Sequence, residues 1–140
     1  MNTVLVCDDD VAILKSIEIY LKMEGYNVIL TENGKEALSA LENNEVHCII
    51  LDIMMPVLDG LNATLKIRES LNIPIILLSA KSEDTDKITG LGFGADDYVT
   101  KPFNPLELCA RVKSQIRRYC SLGSLEKKDG VITSGGLSLD

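Results

Sequence analysis

Side chains able to do chemistry stand where apolar runs stop. Val4-Leu5-Val6-Cys7 gives way to Asp8-Asp9-Asp10, and Cys48-Ile49-Ile50-Leu51 gives way to Asp52. Ile75-Ile76-Leu77-Leu78 ends in Ser79-Ala80, and Tyr98-Val99 is followed closely by Lys101. Short apolar runs like these are what strands buried on both faces of a parallel sheet look like. Open α/β sheets bind ligands beyond the carboxyl ends of their strands, where the strand order reverses. If the first and third strands are neighbours there, Asp8, Asp9 and Asp52 converge on one pocket. Carboxylates that close repel one another, so the cluster needs a cation or raised pKa values. A small set of oxygen ligands with room for water suits Mg²⁺. A carboxylate nucleophile, Mg²⁺, a hydroxyl and a lysine are the parts of a phosphoryl-transfer site: the first attacks, and the positive groups neutralise charge on the phosphoryl oxygens.

The elements that must position these groups alternate regularly along the chain. Strands are expected at about 3–7, 26–30, 47–51, 75–78 and 98–99. The first helix, about 10–24, carries Ile13, Leu14, Ile17 and Leu21 at helical spacing and stops at Gly25. Asn33 caps a second helix that runs to about Asn43, with Glu36 at the capping-box position. Pro56 and Asp59-Gly60 form a loop in which Asp59 caps a third helix over about 60–69, with Leu61, Leu65 and Arg68 roughly one turn apart. A fourth helix, about 84–91, is weak because Gly90, Gly92 and Gly94 follow in quick succession, each costing about 1 kcal/mol relative to Ala in a helix. Asn104, Pro105 and Glu107 supply a cap, a first helical residue and a capping box for a fifth helix that ends near Arg118 with Leu108, Val112 and Ile116 inward. Five β/α units with buried strands make a doubly wound parallel sheet, ordered 2-1-3-4-5, with helices on both faces.

Composition narrows the class. The chain has 140 residues, 46% hydrophobic and 25% charged, values of one globular domain with a tail. A net charge of −7 argues against nucleic-acid binding by this piece alone. No apolar run has the length of a membrane span, and no signal peptide precedes the first strand. Cys7 and Cys48 fall in expected strands, and Cys109 and Cys120 in a late helix. Their spacing fits no zinc site and reads as reduced thiols in a cytoplasmic protein. From the residues alone, Asp10 and Asp59 are helix caps, and His47 is a strand-start residue facing no other ligand. Tyr98 is open between strand residue and switch, and Lys101 between turn lysine and phosphate contact, with the Lys101–Pro102 bond a candidate cis peptide.

Taken together and in this order, Asp8-Asp9, Asp52 with Met55-Pro56 and Asp59-Gly60, Ser79-Ala80, Gly94-Ala95-Asp96-Asp97-Tyr98 and Lys101-Pro102-Phe103 resemble the receiver domain of two-component response regulators, over residues 1 to about 119. The last two motifs most resemble the OmpR/PhoB subgroup. The resemblance implies a flavodoxin-like receiver fold over residues 1–120 and a phosphoryl group accepted on Asp52 from a sensor histidine kinase. It implies Mg²⁺ held by Asp9, Asp52 and the Met54 backbone carbonyl with help from Asp8, phosphoryl contacts from Ser79 and Lys101, and a rotamer change at Tyr98. It implies a switch controlling transcription, with weak self-catalysed phosphoryl transfer, rather than an enzyme. Residues 121–140 then read as a linker and the truncated start of a winged-helix domain, through which alone DNA would be reached. Phosphorylation would pair two copies across the fourth helix, fifth strand and fifth helix, with Lys87 meeting Glu107 and Asp97 meeting Arg111. Gly92 departs from relatives that carry an acidic residue able to reach Lys113.

Two other classes compete. A phosphohydrolase of the haloacid dehalogenase type shares the aspartyl nucleophile and Mg²⁺ but needs a second Asp two residues on, where this chain has Met54. A degenerate receiver acting only as an interaction module does not need the intact acidic, hydroxyl and lysine set. A flavodoxin-like cofactor binder needs small polar residues after the first strand, not Asp-Asp-Asp. Water attacking a phosphoryl group on Asp52 in line must pass the side chains of Met54 and Lys81. Neither suits the task, since Met54 is apolar and Lys81 long, so slow self-hydrolysis is expected.

Overall fold

The apolar runs become strands. The computed structural model describes residues 2–55, 57–79, 92 and 94–127, with side chains of the last helix as far as Ser121. β1 (Thr3–Cys7), β2 (Asn27–Thr31), β3 (Cys48–Asp52), β4 (Ile75–Ser79) and β5 (Asp97–Thr100) form one sheet ordered 2-1-3-4-5. All neighbours run parallel. Every residue of β3 and β4 is buried, because helices cover both faces and side chains alternate between them. Val4, Val6, Cys48, Ile50, Ile76 and Leu78 face α1 (Val11–Met23) and the long last helix (Pro105–Lys127). Leu5, Cys7, Ile49, Leu51, Ile75 and Leu77 face α2 (Gly34–Asn43) and α3 (Gly60–Arg68). Each buried Leu or Ile contributes about 1.5–3 kcal/mol, so this two-sided core holds the sheet rigid beneath the site. No helix among the described residues is long and apolar enough to cross a membrane.

The helix starts follow their caps. Asp10 accepts from the Ala12 amide at 3.0 Å, Asn33 from the Glu36 amide at 2.9 Å, and Asp59 from the Asn62 amide at 2.8 Å. α1 stops at Gly25, whose φ of 93° favours a residue without Cβ. His47 is structural: its Nδ1 accepts from the Thr3 amide at 3.0 Å while its own amide donates to the Thr3 carbonyl at 2.8 Å, joining the chain ahead of β3 to β1.

Several boundaries differ from expectation. β2 and β3 begin and end one residue later, and β5 gains a residue at each end by pairing along β4 from Ile76↔Asp97 to Ser79↔Thr100. The last helix continues past Arg118 and through the segment read as a linker to Lys127. No proline interrupts Ser121–Lys127, and the lone Gly123 costs only about 1 kcal/mol. Glu107 does not complete a capping box, because Arg111 Nη2 takes its carboxylate at 3.1 Å. Glu36 receives the Glu32 amide at 2.9 Å, one residue before the cap. α3 buries Ala63, Thr64 and Ile67, packs half-buried Leu61 against the same core, and leaves Leu65 exposed. The helix expected over 84–91 and residues 128–140 lie outside the described residues.

Candidate functional site

β1 and β3 are neighbours whose chains depart in opposite directions across the sheet, which makes their carboxyl ends the switch point. Asp8 follows β1 directly and Asp52 ends β3. One carboxylate oxygen from each of Asp8, Asp9 and Asp52 lies within 4.8 Å of the others. Asp8 is fully buried and Asp52 is 4% exposed, whereas Asp9 faces solvent. The cluster thus has two walls and one open side.

Lys101 reaches the same pocket from the far end of β5. Its backbone amide donates to the Ser79 carbonyl at 2.6 Å, which ties the end of β5 to the end of β4. Its Nζ stands 2.8 Å from Asp8 Oδ2 and 3.3 Å from Asp52 Oδ1. The other Asp8 oxygen, Oδ1, accepts the Asp10 amide at 2.9 Å. Both oxygens of Asp8 therefore already serve the fold, while Asp9 has its carboxylate in water. Ser79, at the end of β4, is 4% exposed. The Lys101–Pro102 bond is cis.

The electrostatics follow from this crowding. Burial, then repulsion from Asp8, raises the Asp52 carboxyl to about 6, against the pull of Lys101. Burial alone would lower the Lys101 ammonium, but its hydrogen bond to Asp8 and the charges of Asp52 and Asp8 outweigh that and raise it. Burial first and a like charge second hold this carboxyl back from ionising, and a cation beside it would offset both. The donor set is all oxygen, and its open side leaves room for water, so the residues present fit Mg²⁺.

The backbone after Asp52 is held by glycine. The Gly60 amide donates to the Ile53 carbonyl at 3.0 Å, and a Cβ on Gly60 would overlap the backbone of Asp52 and Ile53. Gly34, at the start of α2, donates to the Leu58 carbonyl at 3.2 Å, and a Cβ there would stand 2.5 Å from that oxygen. The β3–α3 loop thus closes on its own start at Gly60 and rests against α2 at Gly34, and Val57 within it has a φ of 71°, strained for a β-branched residue. Met54 lies in this loop with an exposed side chain.

Of the remaining expected residues, Tyr98 is half-buried on the α2/α3 face of β5. Asp97, Glu107 and Arg111 come together within one chain: Arg111 Nη1 donates to Asp97 Oδ1 at 2.7 Å and Nη2 to Glu107 Oε2 at 3.1 Å. Lys81 and Lys87 lie outside the described residues. Sequence reasoning missed the roles of Gly34 and Arg68. Arg68 Nε donates to the Gly94 carbonyl at 2.8 Å, Nη1 to Ile73 at 2.7 Å, and Nη2 to Asp96 Oδ2 at 2.6 Å. This clasp joins α3 to the start of β5 at the end of the sheet away from the acidic pocket. An arginine closing α3 offers no sign of that role in sequence, because its partners are mostly backbone carbonyls.

A five-stranded sheet of this order with an acidic switch point and a lysine from β5 defines a receiver-type fold. Residues 4–113 match the family described as response regulator receiver domain, and the chain belongs to that family. It is 47% identical to the regulatory protein VanR of Enterococcus faecium over 99% of its own length and 61% of VanR. It is 41% identical to the response regulator GtcR of Aneurinibacillus migulanus over 91% of its length and 52% of GtcR. The chain thus spans between half and two thirds of these relatives. Among solved structures, the receiver domain of Francisella response regulator 1452 superposes with a TM-score of 0.81 at 39% identity, covering 84% of this chain and 98% of that one. The receiver domain of sensor histidine kinase PA1611 from Pseudomonas aeruginosa, solved with a magnesium ion coordinated in the active site cleft, gives a TM-score of 0.77 at 33% identity, covering 83% and 98%.

Proposed function

We propose that Asp52 accepts a phosphoryl group from a phosphohistidine of a sensor kinase, and that this chain is the cytoplasmic phospho-switch of a transcription regulator. The observation that carries the reading is the buried Asp52 carboxylate, raised to about 6 and flanked by Asp8, Asp9 and Lys101. In the transfer, an Asp52 oxygen attacks phosphorus, the P–N bond to the histidine breaks, and an acyl phosphate forms. Mg²⁺, when bound, neutralises charge on the carboxylates and the incoming phosphoryl oxygens. Asp9 and Asp52, with the Met54 backbone carbonyl, would hold it, with help from Asp8. Lys101 leaves its carboxylate partners to neutralise a phosphoryl oxygen, and the Ser79 hydroxyl donates to another. Met54, two residues beyond Asp52, has no proton to give, so the site transfers once and holds its product instead of turning over as a hydrolase.

Output follows from the same end of the fold. Ser79 is drawn toward the phosphoryl group, and Tyr98 on the neighbouring strand changes rotamer with it. Two copies then pair across β5 and the last helix, with Arg111 exchanging its own-chain Asp97 for the partner's and Lys87 reaching Glu107 across the two-fold axis. The relatives' greater length and regulatory names support residues 121–140 leading into a further output region, which we read as DNA-binding. Intact-mass measurement with acetyl phosphate tests the reading. The chain should gain one phosphoryl group with Mg²⁺ and none with EDTA, and labelling that persists in EDTA would remove the metal from the account.

A further inference from the structure

The described methionines differ in what a peroxide can reach. Met23 is 75% exposed and Met54 72% exposed. Met55 is half-buried, and its Sδ accepts a hydrogen bond from Cys7 Sγ at 3.3 Å. Burial pushes that thiol up to about 12, so it stays protonated and keeps donating. Thioether oxidation uses a sulfur lone pair, so exposure favours Met23 and Met54, and the Cys7 S–H occupies one lone pair of Met55. The two exposed residues sit at opposite ends of the sheet. Met23 closes α1 just before the start of β2, where Thr3 pairs with Asn27, whereas Met54 stands two residues beyond Asp52.

We propose that Met54 is a peroxide-sensitive modification site, and that its conversion to the sulfoxide shortens the life of the phosphoryl group on Asp52. The inference rests on Asp52 being the acceptor. In the step, Met54 Sδ attacks one oxygen of hydrogen peroxide, an S–O bond forms and the O–O bond breaks. The departing hydroxide takes up the proton of the transferred oxygen and leaves as water. Sulfur loses two electrons and the peroxide gains them. An apolar side chain two residues beyond Asp52 becomes a strong hydrogen-bond acceptor, open to the water that would hydrolyse the acyl phosphate. Met54 in its reduced form cannot orient that water, and the sulfoxide oxygen can. One such hydrogen bond corresponds to an acceleration of about twofold to tenfold. The change is reversible, because methionine sulfoxide is reduced enzymatically.

The test treats the purified chain with dilute hydrogen peroxide and maps the added oxygen by peptide mass spectrometry. Treated and untreated chains are then labelled with acetyl phosphate and Mg²⁺, freed of donor, and followed by intact mass. Met23 and Met54 should gain oxygen ahead of Met55, and the treated chain should lose phosphate about twofold to tenfold faster. Each variant is compared with its own untreated rate: Met54→Leu should abolish the acceleration, and Met23→Leu should keep it. Oxidation of Met54 no faster than Met55, an unchanged decay after Met54 is oxidised, or a Met54→Leu chain that still accelerates would overturn the proposal. An untreated chain that never labels overturns the Asp52 reading and the lifetime claim with it, and the oxygen map separates that failure from one at Met54.

Discussion

Removing the charge of Asp52 should strengthen the metal-free fold. The carboxyl is raised from 3.8 to about 6 by burial and by Asp8, with Lys101 only partly offsetting them. A carboxyl raised on folding binds its proton more tightly in the folded state, so its contribution favours the fold below about pH 4 and is lost as pH rises through about 6. Above that, the ionised group works against folding. Converted at about 1.4 kcal/mol per pH unit, the rise corresponds to about 3 kcal/mol. Asp52→Asn keeps the shape and removes the charge, and Lys101 keeps Asp8 at 2.8 Å. The variant should therefore be more stable at pH 7.5 in EDTA, with about 3 kcal/mol as the ceiling because a buried amide needs hydrogen-bond partners of its own. Urea unfolding followed by circular dichroism at pH 7.5 and pH 4 measures the gap, which should close at the lower pH. Saturating Mg²⁺ should narrow it at pH 7.5 by stabilising only the chain that binds it, by about 2.7 kcal/mol at a hundred times Kd. A variant less stable than the parent at both pH values, or a gap that ignores pH, would refute the reasoning.

Other expectations follow from the same geometry. Asp9→Ala should weaken Mg²⁺ more than Asp8→Ala in a metal titration, because both Asp8 oxygens already accept from Lys101 and the Asp10 amide; equal or reversed effects would exchange their roles. Gly60→Ala should cost about 1–3 kcal/mol and weaken Mg²⁺, since its Cβ meets only backbone that must move. Gly92→Ala, with nothing within 4 Å, should do neither, and a silent Gly60→Ala would show that the loop is not held as described. Sedimentation with a beryllofluoride phosphate mimic should show a dimer that Arg111→Glu abolishes. A monomer in both states, or a dimer indifferent to Arg111→Glu, would exclude the β5 and last-helix face as output.

The parts of this fold legible in sequence are those where local pattern and tertiary demand agree. The β3 and β4 runs are continuous and apolar because both faces are buried, and Asp10, Asn33 and Asp59 cap the helices they precede because a short polar side chain reaches the next turn's amides. The convergence of Asp8, Asp9, Asp52 and Lys101 was legible for the same reason, since each group follows the strand that delivers it. What escaped depends on distant backbone. β5 lengthens through pairing with β4, a gain its own few residues do not advertise. Gly34 and Gly60 look like ordinary turn glycines, yet each is required by close approach from a segment far along the chain or just before the loop. Glu107 sits three residues after a cap and reads as a box, but a guanidinium one turn further along offers a stronger charged hydrogen bond. Of the α3 leucines, Leu61 packs against the core and Leu65 is exposed, because Ala63, Thr64 and Ile67 form the buried face of that helix.

The destination of the phosphoryl group can be read directly. Borohydride reduces an acyl phosphate to an alcohol, so treating the chain with Mg²⁺ and acetyl phosphate, reducing it, and sequencing its peptides by mass spectrometry marks the acceptor as homoserine. The account predicts homoserine at position 52 and nowhere else. Homoserine at position 8 or 9, or its absence from a chain whose mass shows the added phosphoryl group, would contradict it.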